Sequence, residues 1–136
     1  MKKILTLGAA CWAATMFADQ CLNGSWEFRF EQDKPLEAVA SAGFAATDVI
    51  PVPACYDVMP KWYLKHGTGL YRRAFTLDAA MKDAVLVVDG MGVRASFTLD
   101  DRDLGLHPYP YARLELPVGA LAAGEHTLVA RIDNVM

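Results

Sequence analysis

The 136-residue sequence has no run of like charges, only three cysteines, and past residue 18 no apolar stretch long enough to span a membrane. Each scarcity removes a class of function. Recognition of a phosphate backbone needs clustered Lys and Arg. The nearest approach is Arg72 and Arg73, which on a strand point to opposite faces, so nucleic acid is not an expected partner. Serines are few: past residue 18 only Ser25, Ser41 and Ser96 remain, and none is framed by the glycines of a nucleophile elbow. The cysteines come without a paired histidine cluster and give no zinc spacing. His66, His107 and His126 are scattered. Asp100, Asp101 and Asp103 lack the glycine and glutamate that would shape a calcium loop, so no metal is expected. The chain is also too short for an eightfold strand-helix barrel, which needs roughly 200 to 250 residues.

What is present begins with a leader pattern. Lys2 and Lys3 precede an apolar run from Ile4 to Ala18 that stops at Asp19, the layout of an export signal. The expected division is a signal over 1–18, cleaved after Ala18, and one domain over 19–136, placed in the periplasm or secreted and free of the membrane once cleaved. Without Lys2 and Lys3, 11 basic residues face 16 acidic ones, about −5. Cys11 leaves with the signal. An oxidising compartment then permits a disulfide between Cys21 and Cys55, with two free thiols as the alternative.

From Gly24 onward the pattern is short runs of period two bounded by Gly, Pro and Asp, which marks an all-β chain. Trp26, Phe28 and Phe30 alternate with Glu27 and Arg29, giving a strand with an aromatic face and a charged face. Leu36 to Ala46 reads as a loop or short helix, and Pro51 and Pro53 enforce an extended piece around Val49 to Val52. Tyr71 to Leu77 is a strand, and the unbroken apolar run Ala84 to Asp89 is a central strand covered on both faces. Ala95, Phe97 and Leu99 alternate before an acidic turn at Asp100 to Asp103. Leu114 and Leu116 mark another strand, Val118 to Gly124 reads as a helical turn, and Thr127 to Asp133 closes the chain as a strand. Seven or so short strands argue for an antiparallel two-sheet sandwich.

Gly90-Met91-Gly92-Val93-Arg94-Ala95 fits the glycine fingerprint of dinucleotide binding, but that fingerprint requires a helix after it, and Val93 to Leu99 has the alternation of a strand. No cofactor is expected. The candidate ligand contacts are aromatic: Trp62 and Tyr63 beside His66 and Gly67 in one loop, and His107, Tyr109 and Tyr111 in another. Flat rings with a polar edge suit the apolar face of a sugar, and carbohydrate is the expected partner. The competing use of such loop aromatics is to plug the open ends of a sandwich or to pack on a neighbouring domain.

The order of motifs resembles the N-terminal sugar-binding domain of glycoside hydrolase family 2, the family of β-galactosidases, β-glucuronidases and β-mannosidases. The likeness begins at Leu22-Asn23-Gly24-Ser25-Trp26-Glu27-Phe28 and continues through Ile50-Pro51-Val52-Pro53 and Gly69-Leu70-Tyr71-Arg72-Arg73-Ala74-Phe75. It then runs from Asp89-Gly90 to Arg94-Ala95 and ends with Gly124-Glu125-His126-Thr127-Leu128-Val129-Ala130-Arg131-Ile132-Asp133-Asn134. It implies a jelly-roll, galactose-binding-like sandwich. It also implies a parent enzyme that cleaves O-glycosyl bonds with retention, through two carboxylates about 5 Å apart. In the family those carboxylates stand on a downstream barrel that follows an immunoglobulin-like domain, so no acidic residue of this chain inherits a catalytic role. On its own the chain is expected to be inactive. Three departures from the family pattern stand out. Gly92 stands where many members carry Asn or Asp. Asp100-Asp101 replaces the usual Asn-Gly turn and is expected to change the turn type, and Pro108 and Pro110 replace glycines. The alternative is a free-standing carbohydrate-binding or adhesion sandwich with no hydrolase partner.

Overall fold

The computed structural model describes residues 4–7, 20–108 and 111–135. The expected cleavage point after Ala18, Cys11 and Tyr109 lie outside the described residues. Ten strands are present: β1 (Ile4–Leu7), β2 (Gln20–Cys21), β3 (Gly24–Gln32), β4 (Asp48–Val52), β5 (Gly67–Leu77), β6 (Met81–Val88), β7 (Arg94–Leu99), β8 (Arg102–His107), β9 (Leu114–Leu121) and β10 (Gly124–Asp133). They form an all-β sandwich of two sheets. One has six antiparallel strands in the order β4-β3-β5-β10-β7-β8, and the other has four in the order β2-β1-β6-β9.

The period-two pattern fixes which side chains meet. Register places Phe28 opposite Tyr71, Tyr71 opposite Ala130, and Ala130 opposite Phe97, so one row of the larger sheet runs straight across its inner face. Trp26 sits opposite Ile50 in the same layer of the core. Phe28 is fully buried and takes the rings of Trp62 at 4.7 Å and Tyr71 at 4.9 Å on its edges. Clusters of this kind carry about 0.5–1.5 kcal/mol per ring pair beyond area burial. Gly69 makes room for them, because a Cβ there would lie 2.8 Å from Phe28 Cε2.

β6 behaves as its unbroken apolar run requires. Ala84, Leu86 and Val88 enter the main core, while Val85 and Val87, on the opposite face, are also buried. β1 lies against β6 in parallel, with Ile4 facing Val85 and Leu7 facing Val88, and it separates β6 from β2. Four residues from the expected leader therefore belong to the smaller sheet.

Two expectations need correction. Val118 to Gly124 is not a helical turn: Val118 to Leu121 continues β9, and Gly119, with φ of 85°, faces Ala84 where the register shifts. A bulge at a glycine breaks the alternation that would have identified the strand. At the β7–β8 hairpin, Asp100 and Asp101 have φ of 49° and 63°, with Leu99 paired to Arg102. This two-residue turn keeps positive φ at both centres, as Asn-Gly would, so the turn type is conserved despite the substitution. Gly90 to Val93 connects β6 to β7 with no helix after it, which removes the dinucleotide fingerprint.

Candidate ligand cleft

A cleft of about 500 Å³ is lined by both sheets, by Trp26, Tyr71, Phe97 and Ala130 of the larger and by Val88 of the smaller. Its floor is Trp26, Tyr71, Phe97 and Ala130. One wall is the segment from Val52 to Asp57, entered through a cis Val52–Pro53 bond, the other is Gly90 to Val93, and Tyr111 stands at the rim.

The polar groups at this cleft are mostly committed to the protein. Trp26 donates its indole N–H to the Leu22 carbonyl at 2.7 Å. Tyr56 donates its hydroxyl to the Gly67 carbonyl at 3.1 Å. Asn134 accepts from the Gly67 amide and donates to the Lys65 carbonyl, each at 3.0 Å. Asp133 is fully buried; it accepts from the Leu36 amide at 3.2 Å, from Arg94 Nε at 3.2 Å and from a second Arg94 nitrogen. Arg94 extends the bridge outward to Glu37 at 2.6 Å.

One group is left over. Tyr71 is only 5% exposed and lines the cleft, yet no hydrogen bond to its hydroxyl is made among the described residues. Burial pushes its ionisation far above the ordinary tyrosine value, with Tyr56, Cys55 and Asp57 adding to the effect, so it remains a neutral O–H donor. Burial does the same to Tyr56, reinforced by Asp57 and Asp133. None of the described lining residues is Lys, Arg or His.

The four described aromatic or imidazole candidates from the sequence do not converge. Tyr111 lines the cleft, 89% exposed, with φ of 61°. Trp62 is buried against Phe28 and takes Lys61 over its ring, so it plugs the core. Tyr63 is exposed on the same loop, away from the cleft lining. His107 faces Phe97 and pairs its Nε2 with the Leu104 carbonyl at 3.0 Å. Tyr109 is outside the described residues. Sequence reading assigned Trp26 and Tyr71 to strands rather than to a site and did not single out Tyr56, and their type and spacing carried no sign of a cleft. The expected disulfide is also corrected: Cys55 is an exposed free thiol at the cleft wall, while Cys21 is disulfide-bonded.

Away from the cleft, His126 has an acceptor at each ring nitrogen: the Asp100 carboxylate at 2.5 Å and the Ala122 carbonyl at 2.7 Å. Satisfying both requires the imidazolium, and the Asp100 hydrogen bond raises its pKa from 6.5. Among the described residues no cluster of three or more His, Cys, Asp or Glu is placed to hold a metal, and no helix is long and apolar enough to cross a membrane.

No family model and no curated protein matches the chain. Solved structures do. A GH2 β-galacturonidase from Eisenbergiella tayi bound to glycerol is 23% identical with a TM-score of 0.65, over 83% of this chain and 18% of its own. A β-glucuronidase from Ruminococcus gnavus in complex with D-glucuronic acid is 19% identical with a TM-score of 0.69, over 85% of this chain and 21% of its own. A Bifidobacterium dentium β-glucuronidase complexed with coumarin-3-O-glucuronide is 28% identical with a TM-score of 0.68, over 85% and 20%. The sandwich is the fold these glycosidases carry over a fifth of their length. The likeness to family 2 glycoside hydrolases read from the motifs thus reappears in three dimensions.

Proposed function

We propose that this chain is the opening, sugar-binding-type domain of an exported family 2 glycoside hydrolase. It takes no part in bond cleavage and works beside an immunoglobulin-like domain and a catalytic barrel that hydrolyses O-glycosyl bonds. The observation that carries this reading is the shared fold over 83–86% of this chain but only 18–22% of the glycosidases it matches. The five motifs in family order support it as well. Lys2, Lys3 and the apolar run behind them support export to the periplasm or beyond. Of the described sequence-derived carbohydrate contacts, Tyr111 lines the cleft, which supports keeping it as a contact, and Trp62 packs on Phe28.

Two measurements test the reading. Purified chain, offered nitrophenyl β-glucuronide, β-galacturonide and β-galactoside, is expected to release no nitrophenol; release would sink the non-catalytic assignment. Sequencing the gene past codon 136 is expected to find, in frame, a barrel with a pair of conserved-type carboxylates. A stop codon there, with no barrel encoded nearby, would favour the free-standing sandwich.

A further inference from the structure

We propose that β6 carries a strand-docking edge, that Ile4–Leu7 guards it, and that β6 of a second copy of this chain takes the edge when the guard is displaced. This goes beyond the glycosidase reading and does not depend on it. A bare sheet edge accepts another strand, so edges are blunted by proline, charge, a bulge or sheer brevity. β4 has five residues, with Asp48 at its start and Pro51 within it. β8 carries Arg102 and Asp103, and Gly105, with φ of 93°, interrupts it. β9 carries Glu115 and Pro117 and shifts register beside Gly119. β2 is two residues long.

β6 has none of these devices along Ala84-Val85-Leu86-Val87-Val88. All five side chains are buried, and Val85 and Val87 face away from the main core. A β-branched run without charge, proline or glycine pairs with its own kind once its edge is bare. Among the described residues, Ile4–Leu7 is what covers that edge, pairing Val85 to Val88. Self-pairing about a two-fold axis takes the same strand from each copy. An axis through Leu86 sets Asp83 against Asp89, whereas an axis through Val85 sets Ala84 against Leu86 and opposes no like charges. The charge pattern therefore fits a second copy centred on Val85.

The test uses the full chain. Successive residues of a strand turn their N–H groups to opposite sides, so Leu5→Pro with Thr6→Pro removes a donor aimed at β6 and displaces β1; either proline alone is the milder variant. Analytical ultracentrifugation is expected to give a monomer for the parent and twice that mass for the variant, with Trp26 fluorescence showing that the core has formed. Adding Val85→Asp sets two carboxylates face to face at the axis and is expected to restore the monomer; within the chain Val85 faces Pro117 and Ile4, so it meets no charge there. Hydrogen exchange on the parent needs no variant: the amides of Val85 to Val88 that point away from β9 are expected to be protected, because β1 covers them. The proposal is overturned if those amides exchange freely, if the parent is already a dimer, if the folded proline variants stay monomeric, or if their dimer survives Val85→Asp. Each of these results leaves the glycosidase-module reading where it stands.

Discussion

Replacing Arg94 with Met should destabilise the domain, and the reason lies in Asp133. Its side chain is fully buried, and two of its three donors come from Arg94. The variant leaves a carboxylate with the Leu36 amide as its only donor among the described residues. Stripping the partner from a buried ion costs about 3–5 kcal/mol. The Arg94 side chain is 26% exposed, so water can reach the vacated position, and we place the loss at about 2–4 kcal/mol. Domains of this size are stable by about 5–15 kcal/mol, so the variant still folds. With a urea slope of about 2 kcal/mol/M, the midpoint should fall by about 1–2 M. The fluorescence of Trp26, 1% exposed, reports the transition. Arg94→Lys keeps the charge but not the fork and should fall between the two. Arg94→Met combined with Asp133→Asn should recover at least about 1 kcal/mol, because the stranded charge is gone. A single Arg94→Met variant whose midpoint stays within about 0.3 M of the parent would refute the reasoning.

Gly69→Ala places a methyl group 2.8 Å from the Phe28 ring and 3.2 Å from Tyr56 Cδ1, so the aromatic cluster must shift. A loss of about 1–3 kcal/mol is expected, read as a lowered calorimetric melting temperature, and an unchanged melt would show that the rings repack freely. The charged form of His126 is favoured by folding, chiefly through Asp100. The stability it contributes is therefore fully present below 6.5, its ordinary value, and fades as pH rises through the elevated folded value. Urea midpoints from pH 5.5 to 9 should decline over that upper window in the parent and lose this decline in Asp100→Asn; parallel profiles for the two proteins would contradict the pairing.

The strands were legible because burial on a pleated sheet imposes a period of two, which Trp26, Phe28 and Phe30 display and which Ala84 to Val88 suppress by being buried on both faces. Legibility failed where a backbone feature broke the period, as at Gly119 in β9. It also failed at Ile4 to Leu7, where an apolar leader pattern hid a strand whose partner lies far along the chain. The cleft was less readable than the fold for a different reason. Its lining comes from several strands of both sheets and from the loops after β4 and β6, and no period within one strand says which of those residues share a hollow. Tyr71 belongs to the same inward alternation as Phe75 and Leu77; only the tertiary arrangement separates a packed ring from one that borders a hollow. Trp62 erred in the opposite sense, a loop aromatic whose ring is consumed by the core.

The placement of Ile4–Leu7 beside β6 sets a timetable for biogenesis. Ile4 faces Val85, so roughly 80 residues must leave the ribosome before the first strand meets its neighbour, which at about 5–20 residues per second takes about 4 to 16 s. During that interval Ile4–Leu7 has no β6 to pair with, and afterwards the smaller sheet holds it. Slower translation of the first half of the message therefore lengthens the time for which Ile4–Leu7 waits for β6.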